Sequence, residues 1–267
     1  MDFDRIARDG MVLLGCGKMG SAMLAGWLAR GVPAPSIHVI EPNPSDWLRG
    51  TGVALNTALP PAPAVAIVAV KPQMMGDALP ALQALGNGAT LFISIAAGTT
   101  MARFSDALGG QTPIIRAMPN TPAAVGAGIT ALIGNAHVSE EQMTVAEALL
   151  AAVGQTVRLE SESQMDAVTG LSGSGPAYVF HMIEAMAQAG VAQGLAPDLA
   201  MQLARATVIG AGQLAAASDD SAEQLRINVT SPNGTTAAAL DVLMPDLPPL
   251  MARTIKAATD RSKELSA

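Results

Sequence analysis

Short apolar runs recur through the first 120 residues: Met11–Leu14, Ile37–Ile40, Val65–Val70, Leu91–Ile95 and Ile114–Arg116. Most are unbroken rather than alternating, the pattern of strands covered on both faces. Between the first two lies Ser21–Arg30, rich in Ala, Met, Leu and Trp, which favours helix and is closed by Gly31. Strand, helix and strand in alternation predict a doubly wound parallel sheet, with ligand loops beyond the carboxyl ends of the strands. Two stretches without charge, Ala78–Ala102 and Ala117–Ala136, are interrupted by Pro, Gly, Asn or Thr. They predict buried strands and turns, since a membrane helix needs ~20 mostly apolar residues.

The pattern changes near residue 160. Glu160-Ser161-Glu162-Ser163-Gln164 is a polar hinge, so the domains are expected at 1–160 and 161–267. Beyond it the strand-like runs stop. Pro176–Gly194 carries one charged residue, Glu184, and Pro197–Ala217 only Asp198 and Arg205. Helices without a polar face are usually buried all round. A domain of ~110 residues can hardly bury two of them alone, so a second copy of the chain is expected as partner. The alternative is packing against the chain's own sheet.

Composition narrows the function classes. Half of the residues are hydrophobic and 14% are charged, with a net charge of −7. No Lys/Arg cluster is present, so nucleic acid is not an expected partner. One cysteine, Cys16, permits no disulfide within the chain. His38, His137 and His181 are scattered, and no metal site is expected. The acidic start, MDFDRIARDG, does not read as a secretory signal, and a cytoplasmic protein is expected.

The strand Met11–Leu14 runs into Gly15-Cys16-Gly17-Lys18-Met19-Gly20 and then a helix. This is the context in which GxGxxG binds a dinucleotide. Gly15 makes the tight turn, Gly17 lets the backbone approach a pyrophosphate, and Gly20 lets the helix pack closely. Helix N-terminal N–H groups then face the anion. Glu41 follows the second strand, where an acidic residue reads a ribose 2′-hydroxyl. That reading favours NADH; the alternative has Glu41, ahead of Pro42-Asn43-Pro44, turning into solvent. The loops at Lys71, Ala97–Gly98 and Asn120 are expected to line the same cleft. In the second half, Thr169–Pro176 combines glycines and small hydroxyls before a helix. Ser231-Pro232-Asn233-Gly234-Thr235-Thr236 opens an alanine-rich helix from about Thr236 to Leu243, a helix start suited to a carboxylate.

These motifs in this order resemble the pyrroline-5-carboxylate reductase family over nearly the whole chain. The resemblance rests on GCGKMG, AVKPQ (Ala69–Gln73), SIAAG (Ser94–Gly98), RAMPNTP (Arg116–Pro122), DAVTGLSGSGPAY (Asp166–Tyr178) and NVTSPNGTT (Asn228–Thr236). It implies an α/β Rossmann-like doubly wound sheet followed by an all-α dimerisation domain. It also implies NADP(H)- or NAD(H)-dependent reduction of 1-pyrroline-5-carboxylate to L-proline, in a homodimer or larger homo-oligomer. By resemblance, the cofactor contacts fall on Gly15, Gly17, Lys18, Met19, Gly20, Glu41, Asn56, Ala69, Val70, Lys71, Pro72, Ala97, Gly98, Asn120 and Asn228. Substrate contacts fall on Glu162, Ser231, Gly234, Thr235 and Thr236, with Thr236 the catalytic residue through its hydroxyl on the ring nitrogen. The family commonly has two glycines after the proline, and here Asn233 takes the place of the first. Asn tolerates positive φ better than most residues.

Two other classes fit parts of the sequence. One is another imine or 2-oxoacid reductase of similar plan, which would usually place a lysine on a core helix. The helical half has only Lys256 and Lys263, near its end. The other is a non-catalytic nucleotide sensor, against which the Ser231–Thr236 motif weighs.

Overall fold

The computed structural model describes residues 4–266. Eight strands form one sheet: β1 (Met11–Leu14), β2 (Ile37–Ile40), β3 (Ala54–Leu55), β4 (Val65–Val68), β5 (Leu91–Ser94), β6 (Ile114–Met118), β7 (Gly128–Gly134) and β8 (Gly154–Arg158). Their spatial order is β3-β2-β1-β4-β5-β6-β7-β8. All neighbours are parallel except β6 and β7, which are antiparallel. The order reverses between β1 and β4, at the switch point where such sheets bind ligands.

The unbroken apolar runs are explained by what covers them. Met11, Leu13, Ile37, Val39, Val65, Ile67 and Ile93 enter one core with Trp27 and Leu149. Their neighbours in sequence, Val12, Leu14, Ala66, Val68 and Phe92, enter a second core with Leu82 and Phe104. Side chains alternate across a strand, so a strand apolar at every position must be covered twice. The helices Lys18–Ala29 and Glu140–Leu150 supply the first cover, and Trp27 donates its indole N–H to Leu149 O at 2.9 Å. Helix Met101–Leu108 and the turns around Leu79–Leu85 supply the second.

Several elements differ from those expected. A helix at Asp4–Asp9 precedes β1, and the helix after β1 begins at Lys18 rather than Ser21, because Gly17 already serves as its N-cap and Lys18, Met19 and Gly20 form its first turn. β4 ends at Val68, so Ala69 and Val70 belong to the following loop. The last helix runs Thr235–Ser266, far beyond Leu243. It passes through Pro245, Pro248 and Pro249. Proline fixes φ near the helical value, so its loss is an N–H donor and steric room behind it. These three lie within two turns, and helix-forming sequence resumes on either side.

The backbone divides into two compact units, Met1–Gly173 with Ala258–Ala267, and Ser174–Ala257. The change near residue 160 falls at the Ser161–Gln164 capping box, while the compact units divide at Gly173. Residues 258–266 return to the first unit. There Ser262 Oγ donates to Asp166 Oδ1 at 2.6 Å, and Leu265 packs on Gly98.

The second unit is helical: Gly175–Ala192, Pro197–Ala217, Ala222–Asn228 and the 235–257 part of the last helix. Its first two helices meet at Ala187, Ala200 and Ala204, where small side chains allow close approach. Phe180, Ile209, Leu214 and Val242 remain exposed in the single chain.

Candidate functional site

β1 delivers the chain into the glycine turn at the switch point. Gly15 N–H bonds Ile40 O at 2.9 Å and Gly15 adopts φ +90°. A side chain there would strike Val70 Cγ1 and Ala69 O at 2.8 and 2.9 Å. A β-carbon on Gly20 would lie 2.5 Å from Gly15 O, so the first helix turn packs directly on the loop. Over Gly17, by contrast, there is open space. The first helical N–H groups have no intrahelical carbonyl to bond and the helix dipole adds positive potential. These residues therefore fit a dinucleotide pyrophosphate: two glycines are filled by protein, and the third is open beside unused donors. Ala69 and Val70 are brought against Gly15. Lys71 and Pro72 open a 3₁₀ turn next in the chain.

Glu41 does not turn into solvent. Its Oε2 accepts the Cys16 N–H at 2.8 Å and its Oε1 accepts the Asn43 N–H at 3.0 Å. Asn56, in left-handed φ of +51°, clamps the Glu41 backbone twice. Its Oδ1 accepts Glu41 N–H and its Nδ2 donates to Glu41 O, each at 2.9 Å. Burial first, and the Glu41 charge second, push the Cys16 thiol up to about 11, so it is protonated at neutral pH.

Other expected cofactor residues have structural partners. Gly98 receives Leu265 of the last helix, whose carbonyl oxygen would lie 3.3 Å from a β-carbon there. Ala97 precedes it in the same loop. Asn120 Nδ2 donates to Ser172 O at 3.2 Å and its Oδ1 accepts Ile129 N–H at 2.9 Å. Glu162 Oε1 accepts both the Arg116 guanidinium and the Met101 N–H, each at 2.9 Å. Arg116 itself was outside the expected site. A lone arginine between Ile115 and Ala117 in an apolar strand was the available signal, because a buried charge needs a partner.

The remaining candidates belong to the second unit. Asn228 bonds Gln224 and Asp220 through its side chain. At Ser231–Thr236, Gly234 N–H closes a turn on Ser231 O at 3.0 Å, and Asn233 takes φ +56°. Ala238 N–H is the first to bond inside the helix, to Gly234 O. The N–H groups of Thr235, Thr236 and Ala237 thus have no intrahelical acceptor, the arrangement that holds carboxylates at helix starts. Among the described residues no group of three or more His, Cys, Asp or Glu could hold a metal, and no helix is long and apolar enough to cross a membrane.

Comparison with known proteins agrees with this geometry at both ends of the chain. The family model described as pyrroline-5-carboxylate reductase dimerisation matches residues 162–265. That described as NADP oxidoreductase coenzyme F420-dependent matches residues 11–98. The chain is 39% identical over 263 residues to a pyrroline-5-carboxylate reductase of Pseudomonas aeruginosa, covering 96% of each. A solved pyrroline-5-carboxylate reductase from Coxiella burnetii superposes with a TM-score of 0.92 at 35% identity, over 97% of this chain and 99% of that one. A Plasmodium falciparum pyrroline carboxylate reductase solved with NADP bound gives 0.83 at 27%, over 98% and 99%.

Proposed function

Because the chain belongs to the pyrroline-5-carboxylate reductase family, we propose that it reduces 1-pyrroline-5-carboxylate to L-proline, the last step of proline biosynthesis, with a reduced nicotinamide dinucleotide. The observation that carries this reading is the glycine turn open only over Gly17, in a chain matching such a reductase over 96% of its length.

When bound, the nicotinamide supplies the hydride. The chain's own residues bind and orient. Gly17, Lys18, Met19 and Gly20 present helix-start N–H groups to the pyrophosphate. Thr235 and Thr236 present the same kind of donors to the substrate carboxylate, with Ser231 and Gly234, whose own N–H closes the turn, beside them. The Thr236 hydroxyl orients the ring nitrogen, which carries its own proton, so that the C=N electrons pass to nitrogen as hydride reaches C5. Holding two reactants in line can lower a barrier by ~7–11 kcal/mol. Glu162, which by resemblance is a substrate contact, is tied to Arg116 and Met101 within the sheet unit. The exposed apolar faces of the second unit support a homodimer, and the acidic balance of the chain supports a small-molecule rather than nucleic-acid partner. With its single cysteine, the chain is proposed to work in the cytoplasm.

The test is oxidation of reduced dinucleotide dependent on added 1-pyrroline-5-carboxylate. Thr236→Ala should lower kcat at least about tenfold while leaving dinucleotide Kd within twofold, since it removes a contact to substrate alone. No substrate-dependent oxidation by the wild type would overturn the reading.

A further inference from the structure

The crossover from β2 to β3 decides which dinucleotide the glycine turn accepts. In NADPH the ribose 2′-oxygen carries a phosphate with a charge near −2, whereas in NADH it is a hydroxyl that can donate a hydrogen bond. A site for the phosphate needs cations or spare N–H donors; a site for the hydroxyl needs a fixed acceptor.

This chain has the second kind. The Glu41 carboxylate is held at the glycine turn by Cys16 N–H at 2.8 Å and by Asn43 N–H at 3.0 Å. Those two bonds occupy the Cys16 and Asn43 N–H groups. Asn56 fixes the Glu41 backbone from the other side, through two bonds of 2.9 Å. The rest of the crossover offers an anion one cationic side chain, Arg49 at the end of the short helix. Pro42 and Pro44 have no N–H. The short helix that follows has its Leu48 N–H capped by Ser45 Oγ at 3.2 Å. Between Glu41 and Leu48 there is no Lys or Arg, and Asp46 adds a second carboxylate. A carboxylate has about four acceptor sites, so two bonds to backbone leave room for a ribose hydroxyl.

We propose that Glu41, fixed against the glycine turn by Cys16, Asn43 and Asn56, makes this chain select NADH over NADPH. The inference rests on the reading that the glycine turn binds a reduced nicotinamide dinucleotide, and adds which one.

Equilibrium titration of the wild-type protein with NADH and with NADPH, followed by nucleotide fluorescence, tests it without reference to turnover. NADPH should bind more than about tenfold more weakly, because a like-charge contact costs at least that factor. The gap should narrow with added salt, since screening relieves the repulsion. Glu41→Gln keeps an acceptor oxygen and removes the charge, and should cut the ratio at least about threefold. Glu41→Ser should cut it further. Melting curves of both variants establish that the turn still folds; if it does not, the wild-type ratio and its salt dependence decide. Equal or tighter binding of NADPH by the wild type, or full discrimination in a folded Glu41→Gln protein, overturns the inference alone. Failure of both dinucleotides to bind overturns it together with the reading beneath it.

Discussion

Replacing Glu162 with alanine should unfold this protein's sheet unit much more easily than an exposed acidic residue would suggest. The Arg116 side chain is 5% exposed and that of Glu162 is 29% exposed, with one oxygen serving two donors at 2.9 Å. Stranding one partner of a buried pair costs about 3–5 kcal/mol; partial access of water to Glu162 places this pair near the lower end, about 3. The Met101 N–H at the start of its helix also loses its acceptor, worth about 1 kcal/mol. The expected loss for Glu162→Ala is therefore about 3–4 kcal/mol. Glu162→Gln keeps an oxygen and exchanges a charged bond for a weaker one, so about 1–2 kcal/mol should be lost. In an Arg116→Met background no charge is stranded, and the alanine substitution should cost only about 1 kcal/mol. Urea unfolding at one fixed chain concentration, followed by tryptophan fluorescence, measures every variant, because Trp27 is buried in this unit. A loss below about 1 kcal/mol for Glu162→Ala, unchanged in the Arg116→Met background, would show that the pair does not hold the fold.

The other expectations concern the glycine turn. Gly20→Ala forces a β-carbon to within 2.5 Å of Gly15 O and should destabilise the sheet unit by about 1–3 kcal/mol, measured by thermal melting. Gly17→Ala meets open space, so melting should hardly move while dinucleotide Kd rises; a large drop in melting temperature would refute this. Cys16, with its thiol pushed up to about 11, should react with iodoacetamide about tenfold faster per pH unit from pH 7 to 10, with no plateau near 9. Rapid labelling at pH 7 would contradict the burial and the Glu41 charge that raise it.

Much of this architecture was legible because burial leaves a mark on composition. β1, β4 and β5 read as unbroken apolar runs since both of their faces are covered, and the helix Pro197–Ala217 has the bounds its pattern gives. β8, Gly154–Arg158, left no such mark. It lies at the sheet edge with half-exposed polar residues, and β3 has only two residues. The last helix was expected to stop near Leu243, whereas it continues through Pro245, Pro248 and Pro249 to Ser266. At the site, the glycine turn could be read from spacing, but the place of Glu41 could not. Cys16 and Glu41 are 25 residues apart, and only the parallel register of β1 on β2 sets them side by side. Arg116 and Glu162 are likewise joined by topology alone.

The return of residues 258–266 to the sheet unit has a consequence for biosynthesis. A ribosome releases Asp166 long before it makes Ser262, and Gly98 long before Leu265. The nucleotide-binding half of the molecule must therefore wait, one side unsealed, while the whole helical half is translated.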